Sequence, residues 1–253
     1  LVFGALFLGV VWMARRQYQH VPPRQWPQLL VLSLTGYGIP FCILPWLIAE
    51  TGNSGLMGMM IVFVPLFTIV VSVPVLGVRP SARELAGVLG GLLAMVVIRV
   101  DAAARGIPLV YILFAFLVPL LYAYANIVLR KWFSRSDQVP VAMTSMIISA
   151  LILLPIALIR EPVKMDHHFP AALFSLIALG ILATGVAVYY FYILIQRHGP
   201  LQAGMIAYVI PNVILAWSWI LGEEVTSLQV ISVLFTMAMV WLVRSGRPAL
   251  PES

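Results

Sequence analysis

The chain has 253 residues, of which 62% are hydrophobic and only 9% are charged, and its mean hydropathy is +1.03. A soluble domain carries about 25% charged residues, so this composition excludes a water-soluble fold. The net charge of +6 does not indicate nucleic-acid binding, because the 15 Lys and Arg residues are scattered through short polar breaks and form no basic face.

The chain opens with a short apolar run, Leu1–Ala14, which is followed by Arg15 and Arg16. A membrane-spanning helix needs about 20 apolar residues, and a signal peptide carries its positive charge before the apolar run rather than after it. We therefore interpret residues 1–14 as the end of a span whose first part is absent, and we expect one further helix to precede it.

Eight more apolar runs follow, separated by polar or Pro/Gly-rich breaks, and most have the length of a membrane crossing. They lack the alternating polarity of β-barrel strands, and backbone groups in hydrocarbon must bond internally, which favours helices. The sequence predicts an all-α polytopic membrane protein with nine visible spans, at residues 1–14, 28–48, 54–76, 85–100, 107–129, 140–159, 171–195, 201–221 and 228–243.

The distribution of positive charge predicts the orientation of these spans. If the break after the first span is cytoplasmic, 11 of the 15 Lys and Arg residues lie in cytoplasmic segments and the other 4 lie outside. The positive-inside rule selects this arrangement. We therefore expect a multi-pass protein of the plasma membrane, of the bacterial inner-membrane type, with residues 244–253 as a cytoplasmic tail.

The single cysteine, Cys42, lies within an apolar run. One cysteine excludes an intramolecular disulfide and a multi-cysteine metal site, and we predict that Cys42 is a small buried hydrophobic side chain. The four histidines fall in predicted loops without supporting acidic or cysteine clusters, so the sequence predicts no metal site and no cofactor.

An internal repeat divides the chain. The segment Gly58–Pro65 and the segment Gly204–Pro211 both read Gly-Met-apolar, then four residues, then Pro, at an offset of 146 residues. Each of these spans ends in Leu-Gly, and a short final span follows each. The pattern predicts two halves, residues 1–100 with four visible spans and residues 107–243 with five. Because five is odd, the halves have opposite orientations, which is typical of secondary transporters.

The motifs of this repeat resemble a known family. Ala203-Gly204, Pro211 and Leu221–Gln229 are similar to the closing motif of EamA-type members of the drug/metabolite transporter superfamily, and the first half carries a weaker copy at Pro65, Leu76–Ser81, Glu84 and Gly87. The resemblance implies ten helices in two inverted five-helix repeats around a central cavity, and export or exchange of small metabolites. The first half departs from the family pattern, with Gly77-Val78 where Gly-Glu is frequent.

The polar residues within the spans indicate the class of cargo. None of the nine acidic residues falls in the middle of a predicted span, so the sequence predicts no buried carboxylate for a proton relay and no central Arg or Lys to bind a phosphate. A neutral or zwitterionic solute is therefore favoured over an anionic one: an amino acid, an amine or a nucleoside-like molecule. Tyr and Asn residues on shared helix faces provide hydrogen bonds and ring contacts. The predicted solute-binding residues are Tyr37, Tyr122, Asn126, Thr184, Tyr208 and Asn212.

An alternative interpretation of these side chains remains open: each polar group could hydrogen-bond to a neighbouring helix and stabilise the helix packing. We assign Tyr189 and Tyr192, near a predicted span end, to the aromatic ring at the membrane interface. Pro65 and Pro211 are paired by the repeat, and we predict that they are the hinges of a rocking motion.

The function predicted from these observations is secondary transport of a small metabolite, with export as the expected direction. The alternatives are a non-transporting membrane scaffold and, less favoured, a membrane-embedded enzyme. An intramembrane enzyme needs paired catalytic groups at membrane depth, and a channel needs a polar ring or filter; neither pattern is visible. The partners are a small-molecule solute and the lipid bilayer, and the sequence leaves the oligomeric state open.

Overall fold

The computed structural model describes residues 1–15, 20–77, 81–160, 169–198, 203, 206, 210–220, 222 and 225–244. The regular elements within these ranges are helices, as the sequence predicts. The α-helices are α1 (Val2–Ala14), α2 (Trp26–Ser33), α3 (Ile39–Thr51), α4 (Ser54–Met59), α5 (Val64–Leu76), α6 (Ala82–Ala104), α7 (Leu109–Phe133), α8 (Gln138–Arg160), α9 (Phe169–Ala178), α10 (Ala187–His198), α11 (Ile210–Ile220) and α12 (Ser227–Arg244).

Six helical stretches in the described ranges are long and apolar enough to cross a membrane, and they coincide with six of the nine predicted spans. The chain is therefore a polytopic membrane protein. The other three predicted spans coincide with α1, α11 and α12, which are shorter. That all nine cross the bilayer stays a prediction. The six long stretches are Pro23–Thr51, Ser54–Leu76, Leu85–Ala104, Leu109–Phe133, Gln138–Ile159 and Phe169–His198.

Three of these stretches change helix type along their length. The segment π1 (Leu34–Gly38) joins α2 to α3, and the segment π2 (Leu179–Val186) joins α9 to α10; both are π-helical. A 3-10 turn, Met60–Phe63, joins α4 to α5 just before the buried Pro65. Proline has no N–H to donate to the carbonyl four residues earlier, which explains the break at this point.

The described chain forms two compact units. Unit 1 consists of Leu1–Cys42 and Val128–Ala203, and unit 2 consists of Ile43–Ile127 and Gly204–Ser253. Each unit therefore combines segments from both of the halves that the sequence analysis predicts.

In unit 1, α1 packs on α8 and on π2, and α2 packs on α8. A methyl group added to Gly4 would meet Met146 of α8, whereas one added to Gly9 would meet Met143. Since the contact moves backwards along α8 as it moves forwards along α1, the two helices run antiparallel.

In unit 2, α6 packs along α12, and α4 packs on α11. Gly90, near the start of α6, lies against Met239, near the end of α12, while Asp101, near the end of α6, bonds to Gln229, near the start of α12. These two helices are therefore also antiparallel. A core of fully buried apolar side chains fills the unit, including Leu47, Leu56, Met57, Met60 and Phe63.

Two expectations from the sequence are wrong. Cys42 is exposed rather than buried; apolar neighbours do not imply burial in a membrane helix, because the outer face meets lipid and is apolar too. The prediction that no carboxylate is buried is also wrong, because Asp101 lies in the last turn of α6 and is 3% exposed. The helix continues to Ala104 and closes at Gly106, whose φ of 74° is the left-handed conformation that favours glycine after a helix end.

Candidate functional site

The two π-helical segments are the most unusual local structures in unit 1. A π-helix bonds each N–H to the carbonyl five residues earlier, is rare, and often occurs at functional sites. In π1 the N–H of Ile39 reaches the carbonyl of Leu34, and in π2 the hydroxyl of Thr184 donates to the carbonyl of Leu179 at 3.4 Å. Both segments contain a Thr-Gly pair. Two spans of unit 1 are therefore locally underwound.

A chain of hydroxyl groups starts in π1. The Tyr37 hydroxyl lies 2.9 Å from the Tyr192 hydroxyl of α10, and the side chain of Ser145 on α8 lies close to Tyr192. Ser145 donates in turn to the carbonyl of Val141 at 2.7 Å. Tyr37, Tyr192 and Ser145 are all buried. Three helical spans thus meet through uncharged groups that both donate and accept hydrogen bonds.

Helix α8 supports π1 at a second point. Ser149 donates to the carbonyl of Ser33, the residue just before π1, at 2.9 Å. Ser145 and Ser149 are four residues apart, so they lie on one face of α8. This face therefore contacts the tyrosine pair and the start of π1 together.

Glycines hold π2 close to α1. A methyl group added to Gly4 would lie 3.0 Å from the carbonyl oxygen of Gly180 and 3.3 Å from the backbone nitrogen of Gly185. These neighbours are backbone atoms and have little room to retreat. The close approach of α1 to π2 therefore depends on the absence of a side chain at residue 4.

A polar cluster closes one end of unit 1. The side-chain amide of Gln196 donates to the carbonyls of Phe133 at 2.7 Å and Ser136 at 3.0 Å, so that it holds the turn between α7 and α8. Gln138 donates to the side chain of Gln196, and Arg130 donates to its backbone carbonyl. The end of α10 is thereby tied to this turn.

The predicted solute-binding residues fall into three groups. Tyr37 and Thr184 are buried in unit 1, in π1 and π2 respectively. Asn126 is buried on α7 in unit 2, and Tyr122 packs against the apolar core there. Asn212 lies on α11, but its side chain is outside the described part of the structure, as is Tyr208 altogether.

The sequence does not predict three of the residues described above: two in the hydroxyl chain and one that supports π1. Tyr192 was assigned to the membrane interface, which is wrong, since it is 5% exposed within unit 1. Ser145 and Ser149 are not among the predicted residues, although two serines four residues apart in an apolar span indicate a polar position on one helix face. The partner of Tyr37 was not readable, because Tyr192 lies 155 residues away in the chain.

The buried polar residues of unit 1 determine what the site can bind. In the described part of this unit they are uncharged, namely Ser33, Ser145, Ser149, Thr184 and Gln196. Such groups can hydrogen-bond a neutral or zwitterionic solute but offer no counter-charge to a strongly ionic one. Among the residues that the structure describes, no group of His, Cys, Asp and Glu side chains could hold a metal ion.

Comparisons with known proteins identify the family of the chain. The model of the EamA-like transporter family matches residues 1–100 and 109–245, as the resemblance of the motifs predicts. A solved structure described only as the crystal structure of a protein matches with a TM-score of 0.69 and 20% identity, over 98% of this chain and 86% of its own. At that identity the likeness shows the fold alone. A search of curated proteins found no match.

Proposed function

Because the chain belongs to the EamA-like transporter family, we propose that it carries a small neutral or zwitterionic metabolite across the plasma membrane by alternating access between two inverted halves. The proposed cargo is an amino acid, an amine or a nucleoside-like molecule, and the proposed direction is export, with the C-terminus in the cytoplasm. Two inverted copies of one module can exchange conformations, which turns a site open to one side into a site open to the other.

The antiparallel packing of counterpart helices carries this proposal. In the predicted repeat, α1 corresponds to α8, and α6 corresponds to α12. Each of these pairs packs directly and runs antiparallel, and the spans that contain Gly58 and Ile214 also touch. Elements related by a two-fold axis meet their own counterparts near that axis. Parallel packing would have contradicted inverted repeats. The separate family matches to 1–100 and 109–245 support the same division.

The π-helical segments also support the repeat. Shifted by the 146-residue offset, π1 would lie at residues 180–184, within π2. Counterpart spans are thus irregular at matching positions. Irregular backbone at membrane depth occurs where it faces protein or a water-filled cavity. We infer that π1 and π2 flank the solute path, with Pro65 and Pro211 as hinges.

The proposed solute-binding residues in unit 1 are Tyr37 and Thr184, to which the hydroxyl chain adds Tyr192 and Ser145. A solute hydroxyl or amine could replace the hydrogen bond between the two tyrosines without leaving a buried group unpaired, because each tyrosine both donates and accepts. In unit 2 the proposed residues are Tyr122 and Asn126. Tyr208 and Asn212 stay predictions from the sequence.

A counterflow screen in proteoliposomes tests the proposal, with radiolabelled amino acids, nucleosides and small amines as probes. We expect at least one probe to accumulate. Tyr37→Phe should then raise its KM by about fivefold, the effect of losing one hydrogen bond of about 1 kcal/mol. Tyr190→Phe is the matched control, because its ring is 59% exposed, and it should leave KM unchanged.

Two outcomes would oppose this reading. If Tyr37→Phe lowers the thermal stability but leaves KM unchanged, the hydroxyl chain stabilises the helix packing and is not part of the solute-binding site. If no probe accumulates with the unmodified protein, the result favours a non-transporting scaffold over a transporter. A membrane enzyme is not favoured, because the family to which the chain belongs is one of transporters.

A further inference from the structure

Asp101 is the acidic residue most deeply buried in the described part of the chain, at 3% exposure. It stands near the C-terminal end of α6, where the helix macrodipole is negative and disfavours a carboxylate. Its position relative to the dipole therefore does not stabilise α6. The surroundings of its two oxygens show what it does instead.

Both carboxylate oxygens bond to the start of α12. Thr226 donates its hydroxyl to Oδ1 at 2.8 Å, and Gln229 donates its side-chain amide to Oδ2 at 3.2 Å. Thr226 and Gln229 also bond reciprocally to each other's backbone N–H, which is the capping-box arrangement at a helix N-terminus. The positive end of α12 thus faces a negative charge supplied by α6.

The remaining charge is balanced by Arg105, the first residue after α6. The Arg105 Nε lies 3.2 Å from Asp101 Oδ2, four residues further along the chain. Removing Arg105 would leave the buried Asp101 carboxylate without this counter-charge, which is costly. The ion pair, the capping box and the helix end consequently form one connected network.

The packing of α6 on α12 extends beyond this network. Gly90 lies against Met239 at the far end of the pair, and Ala94 and Ile98 are buried between. Thr236 on α12 is fully buried and bonds to its own helix. Close packing along the length, with a polar anchor at one end, is typical of helix pairs that stay associated in a membrane.

We propose that Asp101 holds α6 and α12 together as a fixed joint between the two halves of the chain, which stays closed while the solute path opens and closes. The second test of this proposal rests on the proposed function, whereas the first test does not depend on it. Asp101 is a positioning residue in this account, and it does not touch the solute.

The first test needs no transport. In a Cys42→Ser background, Asp101→Ala should lower the apparent Tm by roughly 10 °C, because it removes the buried acceptor to which Thr226 and Gln229 both donate. Glu50→Ala is the matched control in unit 2: its carboxylate is exposed and accepts one bond from Tyr111 at 3.2 Å, so the Tm should move by about 2 °C or less.

A disulfide at the far end of the pair should rescue the loss. A Cβ built on Gly90 would lie 3.7 Å from the Cβ of Met239, within the range of about 3.5–4.5 Å for disulfides, and replacing Met239 removes the side chain that fills this space. Oxidised Gly90→Cys with Met239→Cys should therefore restore most of the Tm lost in Asp101→Ala. An unchanged Tm in Asp101→Ala, or a loss that the disulfide does not restore, would overturn the proposal.

The second test asks whether the joint moves. The same cysteine pair with Asp101 intact is reconstituted, and counterflow is measured with radiolabelled leucine, adenosine and putrescine before and after reduction. A fixed joint predicts uptake rates within about twofold of each other. A loss of tenfold or more on oxidation, restored by the reductant, would show that α6 and α12 separate during transport and would refute a fixed joint.

Two further outcomes separate the possible failures. If the reduced protein transports none of the three probes, the proposed function is in question for these solutes, and the thermal rescue alone decides the joint. If Asp101→Asn flattens the pH dependence of uptake while the Tm stays unchanged, Asp101 is a proton-coupling acid, and the joint is refuted.

Discussion

Unit 1 contains a buried chain of hydroxyl groups beside two π-helical segments, whereas unit 2 contains a core of large apolar side chains and the Asp101–Arg105 ion pair. The buried polar residues described in unit 1 are serines, a threonine and a glutamine, and two of its spans are underwound into π-helix. Unit 2 buries Phe63 and several methionines completely and adds the Asp101–Arg105 pair. The two units therefore differ in what it costs to rearrange them.

The difference bears on where a conformational change can take place. A hydrogen bond between membrane helices contributes only about 0.6 kcal/mol on average, so the contacts of Tyr37 and Ser149 can be exchanged for a solute or for other partners at small cost. Removing a large side chain from a packed core costs several times more. We expect the hydroxyl contacts of unit 1 to change during transport and the apolar core contacts around Phe63 in unit 2 to stay constant.

The largest expected effect tests the packing of unit 2. Phe63→Ala should lower the free energy of unfolding by about 3 kcal/mol, because it leaves a cavity beside Phe116, whose ring centroid is 5.4 Å away. SDS titration in mixed micelles measures the change. Phe174→Ala is the control, since that ring is 73% exposed, and it should shift stability by less than about 0.5 kcal/mol. Equal losses would erase the contrast between a filled core and a lipid-facing surface.

The next effect tests the glycine contact of unit 1. Gly4→Ala should cost about 2 kcal/mol, the price of overpacking, because the new methyl group meets the backbone of Gly180 and Gly185. Gly9→Ala, on the same helix, is the matched control: its methyl group would meet only Met143 at 3.7 Å, an ordinary contact. The same SDS titration compares the two. A tolerated Gly4→Ala would mean that α1 can move away from π2 at little cost.

The sequence predicts much of the fold and the class of function. Run lengths locate the helices, and the antiparallel packing of α1 with α8 and of α6 with α12 supports the repeat proposed from Gly58 and Gly204. Cys42 is a position that the sequence does not predict. In a membrane protein, apolar residues lie on both the buried and the lipid-facing sides of a helix, so composition does not separate buried positions from exposed ones.

The site is less predictable, because it depends on contacts between residues far apart in the chain. Nothing near Tyr37 points to Tyr192, and a π-helix differs from an α-helix by one extra residue, which leaves the apolar run intact. The sequence predicts only one part of the Asp101 network. The Thr-x-x-Gln spacing at Thr226 and Gln229 predicts a helix start, but the carboxylate that joins it is 125 residues away from Thr226.

The smallest expected effect concerns the hydroxyl support of π1. Ser149→Ala removes a bond to the carbonyl of Ser33 and should lower the free energy of unfolding by about 0.6–1 kcal/mol. Ser175→Ala is the control, because that exposed hydroxyl bonds only within its own helix, to Ala171, and its loss should be close to zero. A cost of 3 kcal/mol or more, on the order of the loss at Phe63, would show that the hydroxyl contacts of unit 1 are as fixed as the core of unit 2. The expectation that unit 1 contains the exchangeable contacts would then be wrong.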